Sequence, residues 1–256
     1  MRTTTRISVL LFLLVISFNQ LYAGWYQCYN FKGSIDKYPI SFSIQVRPGY
    51  FGEKEKKDYN IIGVYKYDKR NQPIRLEGKI DFKTNKALLY EINNNKYTAS
   101  FEFDFSTGTS TGVWKNLQNN ITLALQLQYV SQLTDTTSSD ESPGVEILQS
   151  HALKDFYFTG IYTKKAGDDR AQMTDLRIIN KKDNSVFQVI DLLLVETQSG
   201  NVATIIYDNV LIADTNSKKI LVLNNVGRMG GYVTLAFDAK TKHFILNPKP
   251  VIEGPQ

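Results

Sequence analysis

Gly108-Thr109-Ser110-Thr111-Gly112 has the G-x-S-x-G spacing that presents a nucleophilic serine in α/β-hydrolases. That chemistry needs a sharp strand-to-helix elbow with a histidine base close by. Here the segment follows an apolar stretch ending at Phe105 and runs through Val113-Trp114 into another strand-like stretch. Both histidines, His151 and His243, belong to the other half of the chain. The spacing reads as a hairpin loop, and no catalytic residue is assigned.

Metal chemistry finds no better footing. The two histidines and the single cysteine, Cys28, have no zinc-like spacing. Asp214-Thr215-Asn216 opens like a calcium loop, but the next alternate position is Lys218, an ammonium where a carboxylate is needed. No metal or cofactor is expected. Paired carboxylates for glycoside hydrolysis meet in space rather than in sequence. Glu77, Glu91, Glu102 and Asp104 are expected on solvated strand faces, which leaves a hydrolase with scattered carboxylates as one alternative reading. Asn120-Ile121-Thr122 is a glycosylation sequon, relevant only in a eukaryotic secretory route.

The elements that must position these side chains are strands. Apolar residues recur with period two, the signature of a strand buried on one face. Ile40, Phe42, Ile44 and Val46 alternate with polar residues, as do Ile74, Leu76 and Ile80. Tyr97, Ala99, Phe101, Phe103 and Phe105 form a third set, and Ile121, Leu123, Leu125, Leu127 and Tyr129 a fourth. Polar clusters such as Lys83-Thr84-Asn85-Lys86 and Asn93-Asn94-Asn95 mark turns. Strands are expected over 156–162, 173–179, 186–196, 202–211, 220–223, 232–237 and 244–246. Within 186–196 the apolar run around Val189 to Val195 suits a short helix equally well.

The chain begins with Arg2 and Arg6, an apolar stretch from Ile7 to Phe18 and a small residue at Ala23. This is the order of a secretory signal peptide, and the stretch is shorter than the roughly 20 residues a membrane-spanning helix needs. Residues 1–23 are therefore expected to be cleaved, leaving an exported protein, periplasmic or extracellular, with no membrane anchor. A net charge of +5 falls slightly on cleavage, and Lys54-Glu55-Lys56-Lys57 is a solvated run rather than a basic stripe, so nucleic acid is excluded as a partner. One cysteine precludes an internal disulfide, so stability must come from burial, for which 12% aromatic residues provide the area. Trp25, Tyr26, Tyr29 and Phe31 surround Cys28 in sequence and predict that it is buried.

Residues 132–150 carry four acids, Asp135, Asp140, Glu141 and Glu146, with no base and no aromatic residue. They read as a flexible linker. The expected fold class is all-β, with two antiparallel β-domains (barrel-like or blade-like meanders) at 24–131 and 151–256 joined by that linker.

Several segments carry a resemblance. Gly63-Val64-Tyr65-Lys66-Tyr67, Ile74-Arg75-Leu76-Glu77-Gly78, Leu89-Tyr90-Glu91 and Gly112-Val113-Trp114 follow in the order G-x-Y-x-Y, I-x-L-x-G, L-x-E and G-x-W. This resembles a pattern in exported bacterial proteins that are largely uncharacterised. The second half, with Met173–Asn180, Asp208–Asn216 and Phe237–Phe244, is similar to a domain of periplasmic lysozyme inhibitors and of immunity proteins against peptidoglycan hydrolases. The resemblance implies a non-enzymatic binding protein whose partner is a peptidoglycan hydrolase. Some such inhibitors insert a Ser-Gly loop with a nearby tyrosine into the lysozyme cleft. Ser199-Gly200 matches the loop, whereas Asn201-Val202-Ala203-Thr204 supplies no tyrosine. The related domains often carry D-x-N-x-D-G, of which only Asp214 and Asn216 remain. The alternative is a secreted, virulence-type factor that binds a host protein or glycan through aromatics such as Trp25 or Trp114. The binding candidates are thus Ser199, Gly200 and Trp114.

Overall fold

The structure, a computed structural model, describes residues 26–46, 59–168, 170–193, 205–226 and 229–252. The signal peptide, Trp25, the Lys54–Lys57 run and Ser199-Gly200 lie outside the described residues. The fold is all-β, with one short 3₁₀ turn at Ile206–Asp208 as the only helical element among the described residues.

Eight strands form a closed antiparallel meander: β1 (Tyr26–Ile35), β2 (Tyr38–Val46), β3 (Ile61–Tyr67), β4 (Ile74–Asp81), β5 (Lys86–Asn93), β6 (Lys96–Asp104), β7 (Thr109–Asn116) and β8 (Thr122–Asp135). Each pairs with the next, and β1 pairs back onto β8, so the barrel has no free edge. Its interior is packed with side chains. Phe42 sits at its centre, edge-on to Phe101 at 5.4 Å and Phe103 at 5.9 Å. The turn chemistry is local. Asn94 and Asn95 join β5 to β6 with both residues at positive φ, 48° and 59°, the conformation a two-residue type I′ hairpin demands and asparagine tolerates. At Gly78 and Gly112 a Cβ would come within 2.0 Å of the Leu88 and Glu102 carbonyl oxygens, so the close approach of neighbouring strands there requires glycine.

The second half contributes β9 (Ser142–Ala152), β10 (Phe156–Lys164), β11 (Gln172–Asn180) and β12 (Val186–Asp191) in one sheet. A second sheet holds β13 (Val210–Asp214), β14 (Lys219–Val226), β15 (Met229–Asp238) and β16 (His243–Ile252). Phe158, Leu176, Ile178 and Ile190 of the first pack in one core with Ile220, Val222, Val233, Leu235 and Phe244 of the second. β9 passes beside β13, and β12 beside β16. At the latter seam the Gln188 side-chain amide accepts from the Phe244 N–H at 2.8 Å and donates to its carbonyl at 2.9 Å.

Four expectations are corrected. Residues 132–150 are for the most part strand: β8 runs to Asp135 and β9 starts at Ser142, leaving only a turn at 136–141. Three of the four acids that suggested a solvated tether are engaged: Asp135 pairs with Lys164 at 2.5 Å, Glu146 with Arg177 at 2.8 Å, and Asp140 accepts from Thr136 and Thr137. The two halves also share a core, since Tyr26, Cys28, Val64 and Leu133 on the outside of the barrel join the second-half cluster. Residues 186–191 form a strand as expected, Leu192 and Leu193 lie beyond its end, and 194–196 lie outside the described residues. Of the strand expected over 202–211, residues 202–204 lie outside the described residues, and within 205–211 the strand starts at Val210, after the Ile206–Asp208 turn, whose Ile206 N–H donates to Gln45 Oε1 at 3.0 Å. Finally, Tyr97 does not continue the inward series of Ala99, Phe101 and Phe103. A bulge shifts the register between Tyr90 and Ile92 and turns Tyr97 outward.

Candidate ligand-binding site at the barrel mouth

The ends of β1, β3, β5 and β7 and the starts of their partners gather at one mouth of the barrel. Strand parity decides what points into it. Ala87, Leu89 and Glu91 share the inner face of β5, so Glu91 is buried rather than solvated, contrary to the expectation from its charge. The bulge places both Thr98 and Ala99 opposite Glu91. Thr98 Oγ1 donates to Glu91 Oε2 at 3.1 Å, Trp114 Nε1 donates to Oε1 at 2.8 Å, and the Tyr65 hydroxyl also donates to Oε1. A carboxylate inside an apolar barrel is tolerable only when hydrogen-bonded in this way. Burial, followed by the adjacent Glu91 charge, holds the Tyr65 hydroxyl well above the ordinary phenol range.

Above this floor lies a cup of about 490 Å³. Tyr38, Tyr67, Trp114 and Leu123 line its wall, with Tyr38 and Tyr67 edge-to-face at 6.4 Å. Because the indole N–H is turned down to Glu91, the rest of the Trp114 ring is left to form apolar wall. Lys69 and Arg70 complete the lining from the β3–β4 turn, and no acid lines the cup. That turn is held firmly. Asn71, buried at φ 54°, accepts from Lys66 Nζ at 2.6 Å and donates to the Lys181 carbonyl of the second half at 2.9 Å. Lys181 Nζ in turn reaches Gln72 at 2.6 Å, and Lys66 lies over the Tyr157 ring at 4.9 Å. Burial lowers the Lys66 ammonium, while hydrogen bonds from Ser41 and Lys66 outweigh burial at Asp68 and hold that carboxyl below its usual range.

Of the candidates read from the sequence, Trp114 thus stands in the cup. Ser110 of the G-x-S-x-G spacing is wholly buried in β7, its hydroxyl tied to the Ser106 backbone, with no imidazole among its partners. Asp214 closes the β13–β14 turn by accepting from Asn216 N–H at 2.9 Å and Ser217 Oγ at 2.6 Å, and Lys218 pairs with Asp155 at 2.9 Å. Sequence reading put Glu91 on a solvated face and did not single out Tyr38, Lys69 or Arg70. The signal for Glu91 was present, since it continues the parity of Ala87 and Leu89.

A second polar cluster borders a cleft of about 390 Å³ between barrel and second half. Ser150 Oγ donates to Asp208 Oδ1 at 2.5 Å, His151 Nδ1 lies 3.1 Å from Ser150 Oγ and 3.9 Å from Asp208, and Arg75 pairs with Asp208 at 2.7 Å. A proton relay needs one ring nitrogen on the serine and the other on the carboxylate. Here both partners face Nδ1, so the imidazole does not bridge them.

Comparison with protein-family models, curated proteins and solved structures finds no match for the chain. The motif residues quoted for the sequence resemblance nevertheless converge: Tyr65 of G-x-Y-x-Y, Glu91 of L-x-E and Trp114 of G-x-W form one hydrogen-bonded group, with Tyr67 in the wall above it.

Proposed function

We propose that this protein is an exported, non-enzymatic binding protein that holds its ligand at the mouth of the eight-stranded barrel. The observation that carries the reading is the state of Glu91. It is the acid beneath the cup, and both of its oxygens already accept hydrogen bonds from the wall and floor of the site. A carboxylate engaged in that way braces aromatic walls rather than delivering or removing a proton. A concave site whose Trp114 wall is already fixed by its bond to Glu91 favours affinity, because less ordering remains to oppose binding. The signal-peptide order of residues 1–23 supports export.

The partner proposed from the second-half resemblance is a peptidoglycan hydrolase, occluded through Ser199-Gly200, which lie outside the described residues and apart from the lining of the barrel mouth. The test has two arms. The purified protein is titrated against c-, g- and i-type lysozymes and bacterial peptidoglycan hydrolases with activity as readout, and inhibition supports the hydrolase as partner. Small ligands are titrated with Trp fluorescence as readout. Binding without turnover that is weakened in Tyr38→Ala supports the mouth as the site. Turnover of a bound ligand that Glu91→Gln abolishes would overturn the non-enzymatic reading.

A further inference from the structure

Resting on the barrel mouth as the binding site, we infer that its ligand is an amphipathic anion: an apolar body carrying one carboxylate, sulfonate or phosphate group. The body seats against Tyr38, Tyr67 and Trp114, and the charge rests on Lys69 and Arg70.

Four observations lead there. The cup of about 490 Å³ lies within the range of about 300–1,000 Å³ typical of sites for small organic molecules. Apart from the Tyr38 and Tyr67 hydroxyls its walls offer few polar groups, because the Trp114 N–H is consumed by Glu91 and the Leu123 side chain has none to give. A polyhydroxylated ligand would therefore leave most of its hydroxyls unpaired against the wall, at a cost an apolar body avoids. Lys69 and Arg70 are exposed and form no ion pair among the described residues, whereas Asp68 beside them is engaged by Lys66 at 2.9 Å and Ser41 at 2.7 Å. The turn that carries them is pinned by Asn71 and Lys181, so the backbone bearing the two cations is held at the rim in advance of the ligand.

Glu91 sets the direction of entry. Its negative charge lies at the floor and the two positive charges lie at the rim. An anion is repelled from the bottom and held at the top, so the apolar end enters first. The depth is limited by the packed rings below, where Tyr65 and Phe101 stand 5.1 Å apart.

Two fluorescent probes of nearly the same shape separate the contributions: anilinonaphthalene sulfonate, which is anionic, and phenylnaphthylamine, which lacks the sulfonate. Dissociation constants are measured on the purified protein, on Tyr38→Ala and on the double variant Lys69→Glu/Arg70→Glu. All three positions are exposed, and a thermal melt checks that each variant folds. Tyr38→Ala is expected to weaken both probes. The double variant is expected to weaken the sulfonate about tenfold or more while leaving phenylnaphthylamine unchanged, as charge-assisted contacts of this kind predict. Displacement of the sulfonate by naphthoate or by decanoate supports the class and tells an aromatic body from an acyl one.

If both probes bind and both weaken in Tyr38→Ala but neither responds to the double variant, the mouth remains a binding site and the anionic class is wrong. If neither probe responds to Tyr38→Ala, the mouth is not the site, and the proposed function falls with the inference.

Discussion

Trp114 Nε1 lies 2.8 Å from Glu91 Oε1 although the two residues belong to strands separated by β6. The bond ties β7 to β5 across the barrel interior, and Tyr65 of β3 joins the same oxygen from the other side. Glu91→Ala leaves the Tyr65 and Thr98 hydroxyls and the Trp114 N–H without their acceptor. A loss of about 2–4 kcal/mol is expected, since each orphaned buried donor costs on the order of 1–3 kcal/mol. Glu91→Gln keeps an oxygen for Tyr65 and Trp114 and is expected to cost about 1 kcal/mol. Urea unfolding followed by tryptophan fluorescence measures both, and an alanine variant as stable as the parent would show that the cluster contributes nothing.

The ion pair between Lys164 and Asp135 is 2.5 Å long, with both side chains only 1% exposed. Asp135 Oδ2 also accepts from the Ala171 N–H at 2.9 Å. Lys164→Met strands a buried carboxylate and is expected to destabilise by about 3–5 kcal/mol. The double variant Asp135→Asn/Lys164→Met removes the unpaired charge and keeps an acceptor for Ala171. It should regain a large part of the loss, a coupling visible in a double-mutant cycle. Additive losses in the cycle would contradict this account.

His151 provides a stability switch on the acid side. Burial lowers its pKa below the ordinary 6.5, Arg75 lowers it further, and Asp208 only partly opposes them. The unfolded chain therefore takes up the proton at a higher pH than the folded one. The stability linked to this residue is fully present above about pH 6.5 and is lost as pH falls through the lower folded value. Melting temperatures measured from about pH 7 to pH 5 should decline, and His151→Gln should flatten that part of the profile. An unchanged slope in His151→Gln would rule the switch out.

Cys28 is completely buried, and burial, followed by the nearby Asp135 charge, pushes its thiol well up. A thiolate is the reactive form. A neutral thiol-specific reagent is expected to leave the native protein unmodified at pH 8 and to label it stoichiometrically in urea. Rapid labelling of the native state would mean that the core around Tyr26, Cys28 and Leu133 opens readily.

What could be read from the sequence follows from which forces act locally. The alternation of Ile40, Phe42, Ile44 and Val46 was legible because one face of β2 meets the barrel core, and Asn93-Asn94-Asn95 was legible because its backbone conformation suits asparagine. Tyr97 was misplaced because a bulge is a property of two paired strands, invisible in either one alone. Residues 132–150 were misread because composition reports charge but not the cation that will neutralise it; Lys164 and Arg177 arrive from other strands. For the same reason Glu91 was assigned to solvent: its three donors come from β3, β6 and β7. Trp114 was singled out from its residue type, whereas the cup needs Lys69 and Arg70, which look like any exposed turn.

The Gln188 amide, bonded to both backbone groups of Phe244, has a consequence beyond the seam it closes. β12 and β16 are the last strands of their sheets, and an open edge invites a strand from another molecule to add on and propagate into a fibre. By standing in for a neighbour at that point, one side chain occupies the two Phe244 backbone groups that an incoming strand would need, so strand addition at that end of β16 would first have to displace it.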